Sequence, residues 1–394
     1  MPPRRSKTVA QPEPALPPMT SGPPQAEAAG ILTINLAAIA ANYRALAHRV
    51  LPAECSAVVK ADGYGCGLAQ VTHALAAAGC KTFFVAHLEE ARGVREFAPG
   101  AAIYVLNGFP TGTGPAFAEI AARPVINSAV ELAEWDQFVA SSGWRGGMAL
   151  HVDTGMNRLG LSITEAAAIA PRIHRGNHGI TLVMSHFACS EQPAHPLNTE
   201  QIQAFREIRT LYRGIPASLA NSSGIFLSPA AHCDMVRPGA ALYGVNPTPL
   251  QPNPMQPVID LKARVLQIRD VPRDATVGYD ATWTAKRDTL IAVIAAGYAD
   301  GFIRAAAATA AEPGRQVIVG GERCSIVGRI SMDLFAVDVT DLPQGVLHRG
   351  DYATLIGGDL TIDEAAIQAG TIGYELLTNL GRRFHRIWVE HEAE

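Results

Sequence analysis

The sequence predicts an α/β chain in which a closed (β/α)8, TIM-like barrel is followed by a mostly β domain. Three observations carry that expectation. Short apolar, strand-like runs alternate with helix-like segments over about two hundred residues, the repeat of such a barrel. One of those runs, Ala57-Val58-Val59, leads directly into Lys60 and a loop punctuated by Gly63, Gly65 and Gly67, the way a barrel exposes a reactive group at a strand's carboxyl end. Beyond a cluster of prolines the helical period largely vanishes, and strands separated by Gly, Asp and Pro turns take over. An open doubly wound sheet is the runner-up, disfavoured because no dinucleotide fingerprint opens a helix at the first βα turn.

Taken in order, Met1–Gly30 is rich in proline with Ser, Thr, Gln and Gly, and has no apolar run long enough for a signal-peptide core. Such a segment cannot bury enough surface to offset its ordering entropy, so a disordered tail is expected over 1–30. Arg4, Arg5 and Lys7 precede its acidic residues, which leaves an organelle-targeting role open. The barrel is expected over 31–250. Ile31–Leu36 reads as a strand, and Leu36, Ile39, Tyr43, Leu46 and Val50 then recur at helical spacing up to Pro52. Eight strand candidates follow: Cys55–Lys60, Thr82–Ala86, Ala102–Leu106, Pro124–Ile126, Met148–Asp153, Ile180–Ser185, Pro216–Asn221 and Met235–Arg237. Between them, Ser162 with Glu165 has capping-box spacing, and Asn198 with Gln201 a looser version. Ile202, Phe205, Ile208 and Leu211 form one apolar helix face, with Gly214 placed as its stop.

Prolines at 247, 249, 252, 254 and 257 mark a linker. In the second domain, over 251–394, Val258–Ile268, Leu290–Ala295, Gln316–Val319, Phe335–Val339 and Tyr352–Ile356 read as strands. Only Ile362–Ala369 and the segment around Tyr374–Leu380 read as helices. With 394 residues, 48% of them hydrophobic, the chain can bury an ample core. Its 32 basic and 36 acidic residues argue against a nucleic-acid or polybasic membrane surface. Six scattered cysteines without a Cys-x-x-Cys pair indicate neither a zinc ribbon nor a disulfide framework, so reduced thiols in the cytoplasm are expected. No stretch approaches a transmembrane span.

Lys60 is the residue with the clearest chemistry. An ammonium held against an apolar strand end is pushed towards its neutral form, which a Schiff-base lysine requires. The stretch Val58-Val59-Lys60-Ala61-Asp62-Gly63-Tyr64-Gly65-Cys66-Gly67 resembles the pyridoxal 5'-phosphate signature of bacterial alanine racemases, and motifs similar to that family's recur from about Ile31 to Trp388, in both domains. The resemblance implies interconversion of L- and D-alanine, with Lys60 carrying the cofactor. D-Alanine made this way feeds peptidoglycan of the cell wall, or the reaction runs catabolically.

By the same resemblance, Tyr64, Ser222, Gly239, Ala240 and Tyr374 hold the cofactor phosphate. Late βα loops such as Asn221-Ser222-Ser223-Gly224 and Arg237-Pro238-Gly239-Ala240 are the usual phosphate cradle of this barrel. Arg237 matches the partner of the pyridine nitrogen. A guanidinium stays charged and only donates, so that nitrogen would remain unprotonated and the carbanion less delocalised. Racemisation demands a base on each face of the α-carbon. The resemblance assigns Lys60 to the D-form and Tyr279, in Val277-Gly278-Tyr279-Asp280, to the L-form, with His186 hydrogen-bonded to the tyrosine. It also implies a homodimer whose partner subunit contributes that tyrosine. Arg158 matches the arginine near the substrate carboxylate and cofactor phenolic oxygen. Met332 matches a backbone contact to the carboxylate, and Tyr298 a tyrosine at a narrow substrate entrance.

Three positions depart from the family pattern. His151 stands where many members carry a carbamylated lysine supporting the site arginine, so Arg158 must be oriented by His151 itself, a bound anion or another carboxylate. Ser331 replaces a frequent cysteine, and Asn157 a frequent glycine. The rivals are a broad-specificity racemase, a pyridoxal-dependent decarboxylase of the same barrel type, and a pyridoxal-binding carrier. The missing Gly-Gly-Gly phosphate loop argues against the decarboxylase, and the second domain against the carrier.

Overall fold

A computed structural model describes residues 16–175, 179–307 and 314–390. Nine short parallel strand segments run in the order Glu54–Cys55, Met235–Val236, Ala217–Ser218, Ile180–Met184, Met148–His151, Arg123–Ile126, Ala102–Val105, Thr82–Val85, Ala57–Val58. The first and last segments are one strand interrupted at Ser56, whose N–H and hydroxyl both donate to Val236 O, at 3.0 and 2.7 Å. Val58 N likewise donates to Pro238 O, so the sheet closes into an eight-strand ring, as the alternating pattern predicts.

Period-two alternation sorts the strand residues. Val58, Phe84, Tyr104, Val125, Ala149, Leu182, Met184 and Met235 pack together inside the ring. Their strand neighbours Ala57, Val59, Phe83, Val85, Ile103, Ile126 and Leu150 join the larger core beneath the helices. The expected Ser162–Glu165 capping box is present, with Glu165 N donating to Ser162 Oγ and Ser162 N to Glu165 Oε2. The looser box at Asn198 is not. That helix starts earlier, at Pro196, capped by His195 Nδ1. Asn198 and Gln201 are buried within it, and their amides bind loop carbonyls instead.

The second domain is built on the 13-residue strand Ile259–Val271. The ring Ile259–Val271, Thr289–Ile294, Phe335–Asp338, Glu322–Val327, Gln316–Val319, Tyr352–Ile356 returns to the first strand, so each face is covered by its own curvature. All the strands expected in this domain form. Glu322–Val327 and His385–Val389 form as well, unforeseen because their polar and charged residues dilute the apolar pattern.

Two expectations about the first forty residues are corrected. The strand over Ile31 is hydrogen-bonded not into the barrel but between Ile259–Val271 and His385–Val389, so the chain enters through the β domain. Residues 1–15 of the proposed tail lie outside the described residues, but 16–30 are ordered. Thr20–Ser21 pairs with Arg386 and Ile387, while Gln70 Nε2 binds Pro18 O at 2.7 Å and His385 Nδ1 binds Pro23 O at 2.9 Å. An edge strand and these fixed polar partners supply the ordering that the tail's own composition lacks.

The lysine turn lies where the domains meet. Ala61, Asp62, Gly63 and Tyr64 all have φ between 54° and 60°, a left-handed turn that costs L-residues about 1–2 kcal/mol each. The surroundings hold it in place. Glu90 accepts from Ala61 N (2.6 Å), Ala86 N (2.7 Å) and His87 N (3.1 Å), and Asp62 Oδ1 accepts from Leu68 N. From the β domain, Arg386 donates to Gly65 O and Trp388 Nε1 to Cys66 O, both at 2.6 Å. A Cβ on Gly65 would stand 2.2 Å from Leu377 O, so only glycine admits the second domain so close. Glu90→Ala is expected to destabilise the protein by about 2–3 kcal/mol, because bonds to a charged acceptor contribute about 1.5–3 kcal/mol. Denaturant unfolding measures it, and an unshifted midpoint would show that Glu90 does not hold the turn.

Candidate active site

A cavity of about 630 Å³ opens at the carboxyl ends of the barrel strands. Lys60, Tyr64, Arg158, His186, Ser222, Arg237, Gly239, Ala240 and Tyr374 all line it, nine residues that are scattered over more than three hundred positions of sequence. Val58, Val125 and Met184, from the layer inside the ring, form its floor.

Lys60 stands two residues beyond the strand Ala57–Val58, as the first residue of the helical turn that follows, half-buried. Burial first, and the charge of Arg158 second, hold its amine below the ordinary lysine range, with Glu90 opposing. Both effects enlarge the neutral, nucleophilic fraction at a given pH.

Arg237 is 4% exposed. It donates from Nη1 to Ser218 Oγ and from Nη2 to Ser185 O, each at 2.5 Å. Burial pushes it down to about 10, so it remains charged at neutral pH. Its Nη2 also faces His186 Nδ1 at 3.4 Å. A guanidinium can only donate, so Nδ1 accepts and a neutral His186 carries its proton on Nε2. Burial, followed by the charges of Arg237 and Arg158, holds His186 well below its usual value and hence neutral. Gln201 fixes the histidine's loop by donating to His186 O and accepting from Ala188 N, both at 2.9 Å.

At the opposite end, Ser222 Oγ accepts from Gly239 N (3.0 Å) and Ala241 N (3.1 Å), which leaves its own hydroxyl hydrogen to donate. The Ala240 N–H has no acceptor among the described residues. Tyr64 stacks on Tyr243 with ring centroids 4.6 Å apart, and burial raises the pKa of its phenol. Tyr374 is likewise raised, by burial and by the Glu191 carboxylate it bonds. Protonated hydroxyls, a serine O–H and a spare amide make this end a set of donors, which suits a phosphate. With an amine shifted towards its neutral form at the far end and a fixed guanidinium between, the residues present fit pyridoxal phosphate.

A Cβ on Gly239 would lie 2.3 Å from Tyr64 Oη. Gly239→Ala is therefore expected to displace that phenol and weaken cofactor affinity about tenfold, one charge-assisted bond's worth. Titration of the stripped protein with pyridoxal phosphate reads it, and an unaltered Kd would remove Tyr64 from the phosphate site.

Tyr279, Tyr298 and Met332 are not part of this cavity. They lie on the β domain, 68%, 44% and 52% exposed, and close together. Tyr298 N donates to Ser331 O and Ala299 N to Met332 O, while Arg329 pairs with Asp280 at 3.1 Å beside Tyr279. His186 accordingly makes no bond to Tyr279 within one chain. The structure thus divides the expected site residues into one lined cavity and one exposed patch of large apolar and phenolic side chains.

Of the departures, Asn157 has φ +55, a conformation that asparagine tolerates and glycine favours. Asp153 fixes this turn by accepting from Gly155 N, Met156 N and Asn157 N, each at 2.9 Å. His151 is buried, and its Nδ1 lies 2.8 Å from Asn127 Oδ1. Sequence reasoning missed Glu90, Asn127, Asp153 and Gln201. Glu90 and Asp153 had a signal, an acidic residue beside the glycine-bearing turn or helix start it stabilises, whereas Asn127 and Gln201 act across long sequence separations that no local pattern reveals.

Residues 34–247 match the family described as alanine racemase, N-terminal domain, and residues 258–388 the alanine racemase, C-terminal domain. The chain is 52% identical over 359 residues to the alanine racemase of Methylobacterium nodulans, covering 91% of this chain and 96% of that one. It is 45% identical over 367 residues to the catabolic alanine racemase of Mesorhizobium japonicum, covering 93% and 94%. In structure it is similar to alanine racemase from Bartonella henselae with covalently bound pyridoxal phosphate, with TM-score 0.86, 38% identity, and coverage of 92% of this chain and 100% of that one.

Proposed function

The chain belongs to the alanine racemase family, and from that premise we propose that it interconverts L- and D-alanine with pyridoxal phosphate held on Lys60. The observation that carries the proposal is the single cavity joining a lysine shifted towards its neutral form, a buried guanidinium and an anion cradle. Bound pyridoxal phosphate supplies the electron sink that makes the substrate's α-hydrogen removable.

The residues divide the remaining work. Tyr64, Ser222, Gly239, Ala240 and Tyr374 hold the phosphate. Arg237 donates to the ring nitrogen and, being unable to give up its proton, keeps that nitrogen neutral, which restrains side reactions. Arg158 takes the substrate carboxylate. Lys60 removes or delivers the proton on the face used by D-alanine, and Tyr279 of the partner subunit does so on the opposite face, used by L-alanine. A neutral His186, with its proton on Nε2, donates to that phenol's oxygen and stabilises its charged form. The exposed patch of Tyr279, Tyr298 and Met332 supports this assignment, since a homodimer would cover it and close the cavity's mouth. Among the described residues no helix is long and apolar enough to cross a membrane, consistent with a cytoplasmic enzyme.

The test is to load the purified protein with pyridoxal phosphate, supply L-alanine and measure D-alanine. Carbon dioxide release without D-alanine would support a decarboxylase instead, and neither product a carrier. Comparable rates on serine, lysine and arginine would make it a broad-specificity racemase.

A further inference from the structure

His151 is a buried titratable group with no role so far. It ends the strand Met148–His151, is 9% exposed, and lines the cavity with Lys60, Arg158 and Arg237. Its protonation pattern can be read from its neighbour. Asn127 Nδ2 lies 2.8 Å from Val125 O and 3.3 Å from Leu106 O, and both carbonyls only accept. The amide nitrogen must therefore face them and Oδ1 must face the ring, so the ring donates from Nδ1. Burial and the charge of Arg237 hold His151 down to about 4, hence neutral at physiological pH. A neutral ring with its proton on Nδ1 keeps a lone pair on Nε2.

Arg158 has the complementary deficiency. Asp153 fixes the backbone of its turn, yet its guanidinium has no acceptor among the described residues. We propose that His151 is a positioning residue whose Nε2, directly or through one water, accepts a hydrogen bond from Arg158 and aims its guanidinium at the substrate carboxylate. This rests on the carboxylate role given to Arg158 above. A neutral acceptor suits the task, since it orders the long side chain without neutralising it.

Two readouts on the holoenzyme test this. The first is independent of activity: nitrogen-15 spectra of histidine-labelled protein at neutral pH, with His151→Asn used to assign the signal. Nδ1 protonated and Nε2 bare is expected, whereas a proton on Nε2 overturns the proposal. The second is kinetic. Asparagine places a polar atom near Nδ1 and keeps the Asn127 contact, whereas glutamine reaches towards Nε2. H151N is expected to raise KM for alanine about tenfold with kcat little altered, H151Q to recover most of that loss, and H151N to add nothing to R158A. Additive effects of H151N and R158A, or H151Q as impaired as H151N with matching losses of Tm, would reduce His151 to a structural residue. If R158A leaves KM unaltered, the carboxylate role fails and this inference with it; if R158A raises KM but the effects add, only the inference fails.

Discussion

Replacing Lys60 with alanine should abolish both the visible absorbance of the lysine-bound cofactor and racemisation, the latter by at least about 10³-fold, the scale of losing a positioned proton-transfer group. The residue cannot be replaced by its neighbours. No other lysine among the described residues lines the cavity, and the left-handed turn from Ala61 to Tyr64 fixes where this amine emerges. Its lowered pKa gives a second, pH-dependent signature. The neutral amine is the reactive form, so attachment of pyridoxal phosphate to the stripped protein should accelerate as pH rises and level off below the range of an ordinary lysine. An unchanged spectrum in the variant would reject Lys60 as the anchor.

Tyr279→Phe should retain the cofactor and its absorbance yet lose about 10³- to 10⁴-fold in racemisation, about 4–5.5 kcal/mol of barrier. Both directions suffer, because every turnover needs a proton to leave on one face and arrive on the other. Isotope exchange separates the two bases. With Lys60 intact, the variant should still wash the α-deuterium of D-alanine into solvent while that of L-alanine is retained. Equal washout from both enantiomers would show that a single base serves both faces. The change removes only a hydroxyl and keeps the ring that packs in the proposed dimer, so Tm should stay within a degree or two of the parent.

Much of this was legible before any coordinates. The barrel strands announced themselves because each is a short apolar run between helical repeats, and Lys60, Ser222 and Arg237 follow such runs directly. Local chemistry also exposed the Ser162 cap. Long-range pairing remained hidden. Gly30–Asn35 sits next to the barrel in sequence but joins a sheet whose other strands, Thr20–Ser21 apart, begin more than two hundred residues later. Leu16–Gly30 reads as disordered by composition and is ordered by the last strand of the chain. Asn198 has the spacing of a cap, yet the preceding Pro196 starts the helix first and turns the asparagine inward. In the site, the residues that touch the cavity were identifiable by motif. Asn127 and Gln201 were not, since they act on other residues' backbones and tautomers across long sequence separations.

Subunit complementation tests the shared two-base site most directly. Lys60→Ala and Tyr279→Phe chains, each inactive alone, are unfolded together and reassembled at equal amounts. A site built from Lys60 of one chain and Tyr279 of the other restores one working site in each mixed dimer, which gives about one quarter of wild-type activity. Activity no greater than that of the separate variants, in a sample shown to contain mixed dimers, would mean that the two residues do not meet across subunits.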